Sequence, residues 1–92
     1  MQSQEFLKIK LDGLAVTYPA TTFRYCYDNF DKDHFVCIDP IIDLQVIIEK
    51  EAVELDRFFI RNFPSESLSF IENREDLVFD QLVLEYQPAT SI

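Results

Sequence analysis

The chain contains a single glycine, Gly13, and it follows Asp12 between two short alternating runs. Leu7-Lys8-Ile9-Lys10-Leu11 precedes the pair and Leu14-Ala15-Val16-Thr17-Tyr18 follows it. Asp-Gly flanked by alternation is the strongest short-range hairpin signal, because a type I′ turn requires positive φ at both central residues. The register is self-consistent: a two-residue turn sets Leu11 against Leu14, Ile9 against Val16 and Leu7 against Tyr18 on one face. The pattern predicts a first hairpin over 7–18, ending at Pro19, in which a β-branched residue at position 13 would be strained. A lone glycine also excludes glycine-rich phosphate loops, which need several to let the backbone approach the ligand.

A second hairpin is expected from Thr22-Phe23-Arg24-Tyr25-Cys26-Tyr27 and Phe35-Val36-Cys37-Ile38, separated by the polar stretch 28–34. Folding about the midpoint between Asp31 and Lys32 sets Tyr27 against Val36, Tyr25 against Ile38, Cys26 against Cys37 and Arg24 against Asp39. One face is then aromatic and aliphatic, and the other carries the thiols and an ion pair. Beyond Pro40 the pattern divides. Ile42, Leu44, Val46 and Ile48 alternate as in a strand. Ile48, Ala52, Leu55, Phe59 and Phe63 recur at three and four residues, as on a helix stopped by Pro64. The expectation is a strand at about 41–48 and a helix at about 50–62, with one long helix from Asp39 as the alternative. A final strand is expected near 78–86, against a helical reading begun by Asn73 with Glu75 and Asp76. The tail from Pro88 to Ile92 reads as loose, and its Thr90-Ser91-Ile92 end as a chance resemblance to a strand-addition ligand.

These elements predict an α+β fold: a mainly antiparallel sheet from two N-terminal hairpins plus one or two further strands, with one amphipathic helix packed on one face. With 92 residues, no repeat and no linker, residues 1–92 are expected to form a single small domain. The hydrophobic fraction of 48%, with nine Phe and four Tyr, is too apolar for a disordered chain.

Charge narrows the partners. Seventeen Asp and Glu stand against eight Lys and Arg, for a net charge of −9. Fifteen of those acids follow residue 27. Direct contact with nucleic acid or an anionic membrane requires clustered cations, so neither is expected. The acids that carry the partner expectation are Asp28, Asp31 and Asp33 in the hairpin loop and Glu49, Glu51, Glu54 and Asp56 in the helix. Together they would steer a protein partner with a basic surface.

The chemistry-bearing residues are few. Asp31 and Asp33 match a calcium loop, yet its fifth position would be Phe35 and the required glycine is missing, so a solvated loop is expected. Cys26, Cys37 and His34 supply three soft ligands where structural zinc takes four. His34 is the only histidine, and nothing in the spacing of Ser65, Ser67 and Ser69 makes a nucleophile of any of them. No catalytic residue, metal or cofactor is therefore expected. The opening Met-Gln-Ser-Gln-Glu lacks a basic stretch leading into an apolar run, and no apolar run approaches the roughly 20 residues of a membrane helix. These features predict a cytoplasmic protein whose cysteines are thiols.

The functional expectation is a small acidic protein-binding module with an inhibitor, immunity-like or nucleic-acid-mimicking role. The alternative is an assembly subunit forming a homodimer through the aromatic face of Phe23, Tyr25 and Tyr27 or through Phe58 and Ile60. A small enzyme or ligand carrier ranks third.

Overall fold

Leu7, Leu11 and Leu14 are four and three residues apart, and the fold uses this spacing rather than the alternation around Asp12-Gly13. The computed structural model describes residues 2–73 and 81–86. Its first element is the helix α1, Ser3–Thr17, which buries Phe6, Leu7, Leu11 and Leu14. The expected first hairpin is overturned. That hairpin would have placed Ile9 and Val16 in the core, whereas they are 55% and 81% exposed. Gln, Glu, Leu and Lys ahead of Gly13 are good helix formers, and a stripe of four large apolar residues outweighs one local turn signal. Gly13 is therefore an interior helical glycine without positive φ, and a Cβ added there meets nothing within 4 Å. Gly13→Ala should raise stability by about 0.5–1 kcal/mol, the usual cost of glycine inside a helix. Thermal unfolding checks this, and a lowered melting temperature would argue against the helix.

Strands β1, Thr22–Asp28, and β2, Asp33–Asp39, form the expected second hairpin. Its register differs by two residues from expectation: Tyr25 pairs with Val36, Phe23 with Ile38, Tyr27 with His34 and Cys26 with Phe35. The turn closes sooner, with Asp28 opposite Asp33. Lys32 adopts φ 56°, and Asp28 Oδ1 accepts the Phe30 amide at 3.0 Å. A two-residue slip preserves the faces of both strands, where a one-residue slip would exchange them. Phe23, Tyr25, Val36 and Ile38 accordingly enter the core. Cys26 and Cys37 share the other face but are diagonal neighbours, and Arg24 stands opposite Cys37 and Glu85 instead of Asp39.

The strand expected at 41–48 is also overturned, and the single-helix alternative holds. α2, Ile41–Ile47, continues through a π turn, Ile48–Ala52, into α3, Val53–Asn62. Pro40 occupies the N-cap, one residue later than expected, and its carbonyl accepts the Asp43 and Leu44 amides. The buried stripe is Leu44, Ile47, Ala52, Leu55 and Phe59. The step of five from Ile47 to Ala52 spans the π turn, whose i→i+5 bonding absorbs one extra residue and keeps the stripe on one face. The expected stripe began at Ile48, which is turned outward.

Strand β3, Ser67–Glu72, pairs parallel to β2, the connection a crossover helix permits. Strand β4, Gln81–Tyr86, pairs antiparallel to β1 with a register shift between Tyr25 and Cys26. The order β3-β2-β1-β4 makes a mixed four-stranded sheet in an α+β fold. The expected strand near 78–86 is present from Gln81 onward; positions 78–80 and the tail from Pro88 lie outside the described residues. Asn73 continues the β2–β3 ladder through its amide to the Ile38 carbonyl.

Both helices cover the same sheet face, where the expected fold had one. Phe6 of α1 stacks on Phe58 of α3, with centroids 5.3 Å apart. Tyr18 donates to Glu51 at 2.8 Å, and Tyr86 donates to Asp12. Burial followed by that hydrogen bond pushes the Tyr86 hydroxyl up to about 12. Each fully buried Leu, Ile or Phe of this layer contributes about 1.5–3 kcal/mol. Among the described residues, no helix is long and apolar enough to cross a membrane.

Candidate functional site

The hairpin register and the crossover together bring four polar side chains into a chain of hydrogen bonds beneath α1. His34, fully buried on the helix-facing side of β2, lies 2.7 Å through Nε2 from Glu66 Oε1 and 2.5 Å through Nδ1 from the Tyr25 hydroxyl. A carboxylate only accepts, so Nε2 carries the proton; in the neutral ring Nδ1 then accepts from Tyr25. Ser3 Oγ donates to the same Glu66 oxygen at 2.8 Å. The Tyr27 and Phe59 rings enclose the imidazole at centroid distances of 4.6 and 5.2 Å.

Electrostatics follow from this geometry. Burial alone would raise the Glu66 carboxyl, but the hydrogen bonds from His34 and Ser3, with Lys32 nearby, outweigh it and hold the group below the ordinary carboxylate value. Burial pushes the Tyr25 hydroxyl well above its ordinary value, and the nearby Glu66 charge adds to this. Glu66, 17% exposed, opens onto a cleft of about 400 Å³ lined by Ser3, Tyr27, Asn29, Lys32 and Phe63.

The order of these groups decides what they can do. Nucleophilic activation requires the base to touch the hydroxyl while the acid orients the far side of the base. Here the carboxylate separates Ser3 from His34, and the far nitrogen is taken by Tyr25. The imidazole cannot receive the Ser3 proton directly, and the constellation ties α1, β1, β2 and the segment before β3 together. Ser67, weighed in sequence as a neighbour of His34, instead donates to Asp33. Sequence reasoning missed Glu66 and Ser3, which are 32 and 63 residues from their partners.

The thiols and imidazole weighed as zinc ligands are separated by the pleat. Cys26 and Cys37 occupy the sheet face away from the helices, and His34 the other. Both cysteines are buried and free. Burial pushes Cys37 up to about 11 and raises Cys26 as well, so both are protonated thiols at neutral pH and poor nucleophiles.

The seven candidate acids fall into separate places. Asp28, Asp31 and Asp33 gather at the hairpin end with carboxylate oxygens within 4.8 Å of one another. Asp28 already accepts a loop amide and Asp33 the Ser67 hydroxyl. Glu51 and Glu54 line a groove of about 440 Å³ between α1 and the long helix, with Leu14, Leu55 and Phe58 also lining it. Asp56 lines a different groove, toward β3, and Glu49 is exposed. Lys10 reaches over the Phe6 and Phe58 rings at 5.7 and 5.9 Å. The aromatic face considered for a homodimer is not available, because Phe23 and Tyr25 are fully buried.

Fold and site define a mixed-sheet α+β protein with a buried Tyr-His-Glu-Ser network and an acid-lined interhelical groove. No protein-family model, curated protein or solved structure matches the chain.

Proposed function

We propose that this chain is a non-catalytic acidic module that docks a basic and apolar segment of a protein partner. The observation that carries the reading is the groove between α1 and the long helix. Leu14, Leu55 and Phe58 supply apolar surface, Glu51 and Glu54 outnumber the one cation there, Lys10, and Gly13 leaves its wall without a side chain. An apolar anchor flanked by a lysine or arginine suits such a surface, since the buried part supplies affinity and the rim charge supplies steering. Among the described residues, Glu49 and Glu54 make no ion pair, and both are exposed. An inhibitor, immunity-like or nucleic-acid-mimicking role would each use this charge.

The test is affinity capture at low and high ionic strength, with wild type and Glu54→Lys. Charge reversal at the groove is expected to weaken partner binding about tenfold, equivalent to about 1.4 kcal/mol. High salt should weaken it comparably by screening. Retention of the same partners by both proteins at both ionic strengths would refute charge-steered docking.

A further inference from the structure

We propose that Cys26 and Cys37 hold one monovalent copper ion between their sulfurs, on the sheet face away from the helices. The position follows from the hairpin register. Cys26 pairs with Phe35 and Cys37 with Arg24, so the two cysteines sit diagonally on neighbouring antiparallel strands. Both are fully buried, and the Cys37 thiol donates toward the Cys26 sulfur.

Separation decides what such a pair can do. Diagonal neighbours stand about 7–8 Å apart at Cα. A disulfide needs Cα atoms within about 6.8 Å and Cβ atoms within about 4.5 Å. A direct S–S bond would draw the strands out of register, whereas a single atom between the sulfurs spans the difference. The donor set then selects that atom. The chain has no third cysteine, and its one histidine, His34, lies across the sheet. Structural zinc and iron–sulfur clusters each take four protein ligands, twice what this face offers. Of the ions that soft thiolates select, Cu(I) is the one satisfied by two ligands in line.

Arg24 supplies an independent observation. It stands directly opposite Cys37, and its charge reaches both thiols. Its Nε is buried and has no hydrogen-bond partner among the described residues, a costly state for a donor on a charged group. Two thiolates and one Cu(I) carry a single negative charge, which the guanidinium offsets and to which Nε–H can donate. A divalent ion would leave the pair neutral and that donor unanswered. Glu85, paired with Arg24 from β4, is exposed, so water screens its charge.

Loading breaks two S–H bonds, forms two Cu–S bonds and passes two protons to solvent, with no change of oxidation state. Coordination removes the protons that burial otherwise keeps on these thiols. The β1–β4 ladder shifts register between Tyr25 and Cys26, and an irregularity of this kind lets a strand re-aim a side chain.

Anaerobic competition against the Cu(I) complex of bathocuproine disulfonate tests the proposal. Wild type should take up one Cu(I) per chain, and X-ray absorption should show two sulfur neighbours without nitrogen or oxygen. Cys26→Ser and Cys37→Ser should each abolish uptake with an unchanged circular dichroism spectrum. Arg24→Gln should weaken it about 10–100-fold, the range for a group that supports metal ligands from outside. Should a serine variant fail to fold, the wild-type absorption spectrum decides alone. No uptake from the competitor overturns the proposal, as does copper bound through nitrogen or oxygen, or one copper shared by two chains. Uptake that the serine variants or Arg24→Gln leave unchanged overturns it too. So does an intramolecular disulfide formed with oxidised glutathione in native buffer, because the spacing would then fit a direct bond.

Discussion

His34→Ala is expected to lower stability by about 3–5 kcal/mol, combining a buried cavity with stranded polar groups at about 1–3 kcal/mol each. In a chain of this size that corresponds to a fall of roughly 15–30 °C in Tm. The physical reason is that His34 has no solvent contact and both its nitrogens are bonded. Its removal leaves the Tyr25 hydroxyl buried without an acceptor and Glu66 without its main donor. Urea unfolding with circular dichroism detection measures the loss. A change below about 1 kcal/mol, the range of surface substitutions, would show that the network contributes little.

Glu66 supplies the pH signature of the same network. Its folded pKa is depressed, so its contribution is present above the unfolded carboxylate value and is lost as pH falls through the folded one. Glu66→Gln should therefore flatten the acid limb of the stability profile below about pH 5, where ordinary carboxylates begin to protonate. An acid limb identical to wild type would argue against the His34–Glu66 bond. The imidazole and carboxylate thus yield separable readouts, one in overall stability and one in its slope with pH.

The second large effect separates two adjacent isoleucines. Ile47→Ala should cost about 2–5 kcal/mol, the range for a fully buried aliphatic, whereas Ile48→Ala should cost less than about 1 kcal/mol. Ile47 has no exposed surface and Ile48 is 41% exposed. The contrast reports directly on the π turn. An uninterrupted 3.6-residue period running back from Ala52, Leu55 and Phe59 selects Ile48 and predicts the reverse order. If the chemical-denaturation midpoints rank Ile48→Ala as the more damaging change, the i→i+5 turn is wrong.

Competing periods of this kind underlie the other places where the fold departs from its sequence pattern. Around Gly13, Leu7, Ile9 and Leu11 fit a period of two, while Leu7, Leu11 and Leu14 fit a period of 3.6, and the local turn chemistry of Asp-Gly favoured the wrong one. The choice is made by what lies opposite: Phe58 and Phe59 of the long helix, and Phe63 just after its end, contact Phe6, and a strand there would have turned Ile9 and Val16 inward instead. At 41–48 the β-branched residues favoured a strand, but the parallel pairing of β2 with β3 requires a crossover, and the helix supplies it.

Some features needed no tertiary information. The two faces of β1 and β2 were legible because alternation has a period of two, and a shift of two in register leaves each residue on its side. The placement of Cys26 and Cys37 together, away from Tyr25 and Ile38, follows from that alone. So do the negative charge and the missing glycine-rich loop, which are properties of composition. Long-range partnership was not legible. Glu66 joins His34, and Ser3 joins Glu66, only because the crossover returns the chain beside β2 while α1 lies across it, and no local spacing encodes that meeting. The outward edge of β3 likewise exists only once the strand order is set, since which backbone groups lack a neighbour depends on where the sheet ends.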